Sequence, residues 1–276
     1  MASSQTKLFA TSEEKLAALD GLFLKSEKYR NSQEYFNLLN FINKFPKLSP
    51  FNAFLIHTQN SGVEVVLTAF QWSKFSRKVK YNARPLVILV PFGPVNFVYD
   101  IADTEGEDIP AYMINPFTTY GKLKSSIYNY TTVNCIKEEI MYIEDEMHKS
   151  SAGFSRRKLD EFSVHINKGY SIEEKYSTLV HELAHIFCGH LGINNKSWWR
   201  DRQDITNSSK EIEAESISFL VCKRNGLQTT SEAYLSAFVT NNKIMPDISL
   251  DIVITVAGYI EQMGKSGFKS KSKKIK

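Results

Sequence analysis

Apolar residues recur at helical spacing over about 12–27 and 31–44, which predicts two helices at the start of the chain. Pro46 and Pro50 separate them from a third helical segment near Asn52–Gln59. Thr68–Phe75 predicts a short helix carrying Trp72. The period then changes: Leu86–Val90 is a continuous apolar run of strand length, and Pro91, Gly93 and Pro94 turn the chain into a second strand at Val95–Tyr99. Asp100–Pro110 reads as an acidic loop containing Gly106. The stretch through Glu146 carries Ile136, Ile140, Tyr142 and Ile143 and fits helix and strand equally. In Glu161–Asn167, Phe162, Val164 and Ile166 alternate with Ser163 and His165, the pattern of a half-buried strand. Tyr176, Leu179, Val180, Leu183, Ile186 and Phe187 return to helical spacing, and the last third, about 208–263, is again helical. The fold class expected is therefore α+β.

At 276 residues the chain can bury a large core. No run of apolar residues is long enough to span a bilayer, and the first residues lack the apolar stretch of a signal peptide. Cys135, Cys188 and Cys222 are odd in number and form no CxxC pair, so they read as free thiols in a reducing cytoplasm. The net charge of +4 is misleading. Six lysines fall in the last twelve residues, which leaves the remainder at −2 and marks 265–276 as a basic, disordered tail.

The chemistry concentrates at His181-Glu182-Leu183-Ala184-His185. Histidines four apart on a helix share one face about one turn apart, where a single Zn²⁺ can take both imidazoles. Glu182 then stands beside the open position and can take a proton from water. The helix is well specified: Ser171 and Glu174 form an S-x-x-E capping box, Glu173 and Glu174 suit the positive end, and Gly189 and Gly192 can end it. A third ligand has several sources. His190 falls one position short of the metzincin spacing and suits a helix end. Glu211 and Glu215 share a face of the next helix, whereas Glu213 points away from both. Glu211 is favoured as ligand, with Glu215 as orienter or alternative ligand, because that spacing recurs in His₂Glu enzymes. Ser208 with Glu211 also matches a capping box, and a distant residue such as His165 remains open. His165 and Tyr170 are the candidates nearest in sequence for stabilising an oxyanion.

A second feature lies upstream. Trp72, Lys74, Phe75, Arg77, Lys78, Lys80, Tyr81 and Arg84 interleave basic and aromatic side chains. Trp72, Arg77, Lys78 and Arg84 would suit base stacking and phosphate contact with single-stranded DNA; an ordinary solvated face around one core tryptophan has the same composition.

The segment Val180–His190, followed by Glu211-x-Glu-Ala-Glu215 and a helix of small and apolar residues, resembles the ImmA/IrrE-type zinc metallopeptidases. The upstream half resembles the N-terminal domain of ArdC-type antirestriction proteins, through Ser49-Pro-Phe-Asn52 with Leu55 and Gln59, Phe70-x-Trp72, Arg77-x-Val79, Ala83-Arg84-Pro85, Val98-Tyr-Asp100 and Asp103-Thr-Glu-Gly106. The chain departs from these groups at Lys80–Arg84, which lacks a glycine turn, and at Val221–Arg224, where a Leu-Met-Pro block is absent. The resemblance implies an ArdC-like domain over 1–110 and a zincin-like metallopeptidase domain over 111–264. It implies His181, His185 and Glu211 as zinc ligands, Glu182 as general base, a protein or peptide substrate, and single-stranded DNA as a partner of the first domain.

Overall fold

The computed structural model describes residues 31–90, 95–110, 113, 121–148, 150–240 and 245–272. The helix expected over 12–27 lies outside them. The first described helix, α1 (Ser32–Asn43), starts where the Asn31 side chain accepts from the Gln33 and Glu34 amides. α2 (Pro50–Gln59) starts at Ser49, whose hydroxyl accepts from Asn52, with Pro50 in the first turn. The strands β1 (Val66–Leu67), β3 (Leu86–Ile88) and β4 (Asn96–Asp100) form an antiparallel sheet in the order β1-β4-β3. β3 is one of its edges, and α2 covers that edge with two side-chain amides. Asn52 exchanges two hydrogen bonds with the backbone of Leu89, and Gln59 exchanges two with Val87, all at 2.8–2.9 Å. The two amides stand where a fourth strand would pair.

The short helix α3 (Ala69–Ser73) carries Trp72, which is fully buried and donates from Nε1 to the Tyr99 carbonyl at 2.9 Å. The acidic stretch expected to be a loop is instead a 3₁₀ turn (Ile101–Asp103) followed by β5 (Thr104–Gly106), which pairs with β2 (Arg77–Val79). Polar composition hid the strand because its partner lies 27 residues away, in a basic segment. Gly106 has φ +138°, and a Cβ there would meet the Ser76 carbonyl oxygen at 2.2 Å, so the pairing needs glycine. Asp100 is buried and accepts from the Glu64 and Val65 amides.

The ambiguous stretch divides into a helix, α4 (Ser125–Lys137), and a strand, β6 (Ile140–Asp145). β7 (Gly153–Lys158) and β8 (Glu161–Asn167) complete a sheet in the order β6-β8-β7, with β6 parallel and β7 antiparallel to β8. β8 is thus the central strand. Sequence alternation marked it as half-buried, yet Ser163 and His165 are buried too, because strands flank it on both sides. The strand that leads into the motif helix therefore has partners on both sides, and the edges of this sheet are β6 and β7.

The helices α5 (Ile172–Phe187), α6 (Asn207–Arg224), α7 (Thr230–Thr240) and α8 (Leu250–Met263) complete the described elements. α6 packs between α5 and α8, with α1 and α7 also against it. α1 meets α6 through Phe36 stacked on Phe219 and through Tyr35, whose hydroxyl donates to Ser216 at 2.9 Å. One core cluster runs from Tyr35 to Phe268. The basic tail expected to be disordered from residue 265 is seated as far as Ser272. Phe268 is buried, the Lys271 ammonium lies over the Trp198 and Tyr259 rings, and Ser272 donates to buried Glu138 at 2.9 Å. Aromatic and carboxylate partners distant in sequence hold these lysine-flanked residues, and composition does not reveal them. No described helix is long and apolar enough to cross a membrane.

Candidate metal centre

Both ends of α5 are set by local chemistry. Ser171 and Glu174 complete the expected capping box, each side chain accepting from the other residue's amide. Hydrogen bonds from Ser171 hold the Glu174 carboxyl below the usual carboxylate range. At the other end the Gly189 amide donates to Ile186, and the His190 amide reaches back to the His185 carbonyl, both at 3.0 Å. This is a Schellman ending with Gly189 at φ +77°. It returns His190 over the last turn, beside His185, where such endings commonly carry an apolar contact.

Between those ends, the buried stripe of α5 holds Tyr176, Leu179, Val180, Leu183, Ala184, Ile186 and Phe187 against the core. His181, Glu182 and His185 sit at its margin, half-buried. The His181 and His185 Nε2 atoms face each other at 3.1 Å. Glu211 from α6 brings one carboxylate oxygen to 3.7 Å from His181 Nε2 and the other to 3.6 Å from His185 Nε2. α6 begins at Asn207, capped by the Thr206 hydroxyl, so Ser208 and Glu211 do not form the capping box that the sequence allowed. The Glu211 carboxylate is left to face the histidines.

These separations suit a tetrahedral ion. Bonds of roughly 2.0–2.1 Å at tetrahedral angles place ligand atoms about 3.3 Å apart, close to the spacing found here. Among the described residues the three ligand atoms all lie within 4.8 Å of one another. Burial, then the neighbouring His181, His190 and Lys210, push the His185 imidazole down to about 3, so it is neutral near pH 7 and keeps a lone pair for coordination. Glu215, one turn along from Glu211, faces the other nitrogen of His181, with Oε1 3.6 Å from Nδ1. Its second oxygen is buried without a hydrogen-bond partner among the described residues.

Glu182 points to a different element. Its carboxylate accepts from the Ser155 hydroxyl on β7 at 2.6 Å. Burial raises its pKa, against the opposing pull of that hydrogen bond and of His181. A carboxylate raised toward neutrality and aimed beside a cation site is suited to moving protons.

Two residues that sequence reading set aside complete the arrangement. His190, taken as a helix-end residue, has Nδ1 3.0 Å from His185 Nδ1. Its Nε2 lies 2.9 Å from Glu213, the acid that points away from Glu211 and Glu215. Glu213 is fully buried and takes both Arg202 guanidinium nitrogens at 2.6 Å and the Ser249 amide at 2.7 Å. A charged residue amid Ile212 and Ala214 on a buried helix was the available signal. Cys188, His190 and Glu213 also lie together, but burial raises the Cys188 thiol well above its ordinary range and Glu213 is already committed to cations and amides.

His165, open as a ligand or oxyanion partner, is not part of the centre. Ser155 pairs with Val164 on the sheet face that meets α5, so His165 lies on the opposite face. There it is held by Asp145 at 2.6 Å and stacked on Phe154. Tyr170 precedes α5, and roughly 15 Å of helix rise separates it from His181.

The upstream candidates divide. Trp72 has no free ring face, so it cannot stack on a base. The Arg77 guanidinium is spent within the fold on Thr104, Gly106 and Glu107, which staples β2 to β5. Lys78 and Arg84 are exposed, and among the described residues up to 110 the exposed aromatic rings are Phe70, Tyr81 and Phe97.

No family model matches the chain, and no curated protein matches it. Among solved structures it is similar to the metal-free crystal structure of the antirestriction protein ArdC from plasmid R388, at 15% identity and a TM-score of 0.39, covering 77% of this chain and 82% of that one. The Mn(II)-bound structure of the same protein gives 14% identity and a TM-score of 0.39, over 79% of this chain and 85% of that one.

Proposed function

We propose that this chain is a zinc-dependent peptidase of zincin-like type, with His181, His185 and Glu211 as metal ligands and Glu182 as general base. The observation that carries the reading is the convergence of three ligand atoms at tetrahedral spacing beside a raised carboxylate. Two imidazoles and one carboxylate are the donor set of many catalytic zinc sites, which keep a fourth position open. Zn²⁺ held there would supply a Lewis acid for the scissile carbonyl and lower the pKa of water. Glu182 takes the proton of the attacking water and returns it to the leaving nitrogen. Ser155 steadies the carboxylate during both transfers. Glu215 orients His181. The side of β7 without a partner strand among the described residues offers backbone groups to an extended peptide, which would add as a further strand next to Ser155 and Glu182. The substrate is a regulatory protein, as the ImmA/IrrE resemblance implies, and three buried free cysteines suit a cytoplasmic setting.

A second reading is an antirestriction protein that binds single-stranded DNA and whose zinc site is structural or residual. It is of the same class as the ArdC structures named above. Lys74 over the exposed Phe70 ring, with Lys78, Tyr81 and Arg84, supports it as a basic and aromatic face.

Glu182→Gln separates the two. It removes the base and leaves the ligands, so the zinc-loaded variant should lose about 10²–10⁴-fold in cleavage of a mixed peptide library while keeping its zinc. Full biological activity in a zinc-loaded Glu182→Gln protein would overturn the peptidase reading in favour of the second.

A further inference from the structure

The hydrogen bonds from Arg202 to His185 form one chain, and with a single ring proton on His190 their directions follow from its ionised end. Glu213 receives two guanidinium N–H groups from Arg202 and one backbone N–H from Ser249. It is a pure acceptor and therefore ionised. The fourth partner, His190 Nε2 at 2.9 Å, must then donate to it. A neutral imidazole that donates from Nε2 has its lone pair on Nδ1. His190 Nδ1 lies 3.0 Å from His185 Nδ1, so with one ring proton on His190 the hydrogen of that bond comes from His185. With its proton on Nδ1, His185 has its lone pair on Nε2, the atom that faces His181 Nε2 and Glu211.

We infer that the buried Arg202–Glu213 pair, acting through His190, fixes the tautomer and ring orientation of His185 and so sets the affinity of the centre for a divalent cation. The inference rests on the ligand set proposed above and assigns positioning roles to His190, Glu213 and Arg202. Metal-bound histidines commonly donate their second nitrogen directly to a carboxylate or carbonyl. Here an imidazole is inserted between ligand and carboxylate, and the Schellman ending at Gly189 makes room for it. The insertion moves the carboxylate into a fully buried site, where Arg202 rather than water balances its charge. The bound cation gains a ligand polarised by a distant negative charge, and that charge has no access to the cation itself.

Two measurements on the full chain test this. In metal-free wild-type protein with ¹⁵N-labelled histidine, NMR should show His185 protonated at Nδ1 and unprotonated at Nε2, and His190 in the opposite tautomer. His185 protonated at Nε2 would overturn the inference without any substitution. Zinc affinity, measured by competition with a chromogenic chelator, should fall about 10–100-fold in His190→Phe and in Glu213→Gln. Wild-type zinc affinity in folded His190→Phe and Glu213→Gln would overturn the inference, as would a wild-type protein that binds no zinc. Peptidase activity enters neither readout. A protein that shows the expected tautomers and affinities but cleaves nothing refutes the peptidase reading and leaves this one standing.

Discussion

At the residue scale, Ser155 is the side chain whose removal reports most directly on the proposed base. Its hydroxyl donates to Glu182 at 2.6 Å and so favours the ionised carboxylate, against burial, which favours the neutral one. A base must be ionised to act, so activity falls as pH drops through the Glu182 pKa. Ser155→Ala removes the interaction that lowers this pKa, and the acid limb of the pH–rate profile should move to higher pH. At the optimum kcat should fall roughly three- to tenfold, the size expected for one lost hydrogen bond. A profile identical to wild type would show that Ser155 does not act on the base. Nothing in the sequence pointed to Ser155. Ser155 and Glu182 meet only because β7 packs on α5, and a serine in a strand carries no signature of its own. The histidines were legible for the opposite reason, since helical geometry alone puts residues four apart on one face.

At the element scale, the end of α5 does more than stop a helix. Gly189 sits at φ +77°, and a Cβ there would meet the Arg200 carbonyl oxygen at 1.8 Å. Its own carbonyl accepts from the Arg202 amide at 3.0 Å, so the glycine seats the segment that delivers Arg202 to Glu213. Gly189→Ala should cost about 1–3 kcal/mol for the left-handed backbone alone, and more because the 200–202 segment must shift. A thermal melt should show the lowered midpoint, and chelator competition should show weakened zinc binding in the same protein. Unchanged values in both would mean that the segment adjusts freely. The glycine was visible as a helix terminator; its packing against a segment 11 residues on was not.

At the scale of the whole molecule, Arg224 joins the first and last thirds of the chain. Its buried guanidinium donates to the Ile42 and Phe45 carbonyls at 2.9 and 3.0 Å and to Leu48 at 2.5 Å, and pairs with Glu261 on α8. Arg224→Met keeps much of the volume but strands a mostly buried carboxylate and three carbonyls. Stability should fall by about 3–5 kcal/mol in urea denaturation, with an unchanged slope if the single core still unfolds as one unit. A loss below about 1 kcal/mol would show that water replaces the clamp at little cost.

The same contrast runs through the entire chain. Sequence alone determined what depends on neighbours within a turn or two: the capped α5, the paired histidines with their glutamate, and the helical last third. It also singled out Asn52, Gln59, Trp72, Arg77 and Asp100, although their work is to close a sheet edge and staple strands, with Trp72 and Arg77 turned inward. Tertiary structure decided which acids face which imidazoles, made β8 central and β7 an edge, and seated the lysine-rich end on Trp198, Tyr259 and Glu138. Helix periodicity is a local property written in spacing, whereas the partner of a buried charge is chosen by packing between residues far apart in the chain, and no spacing records it.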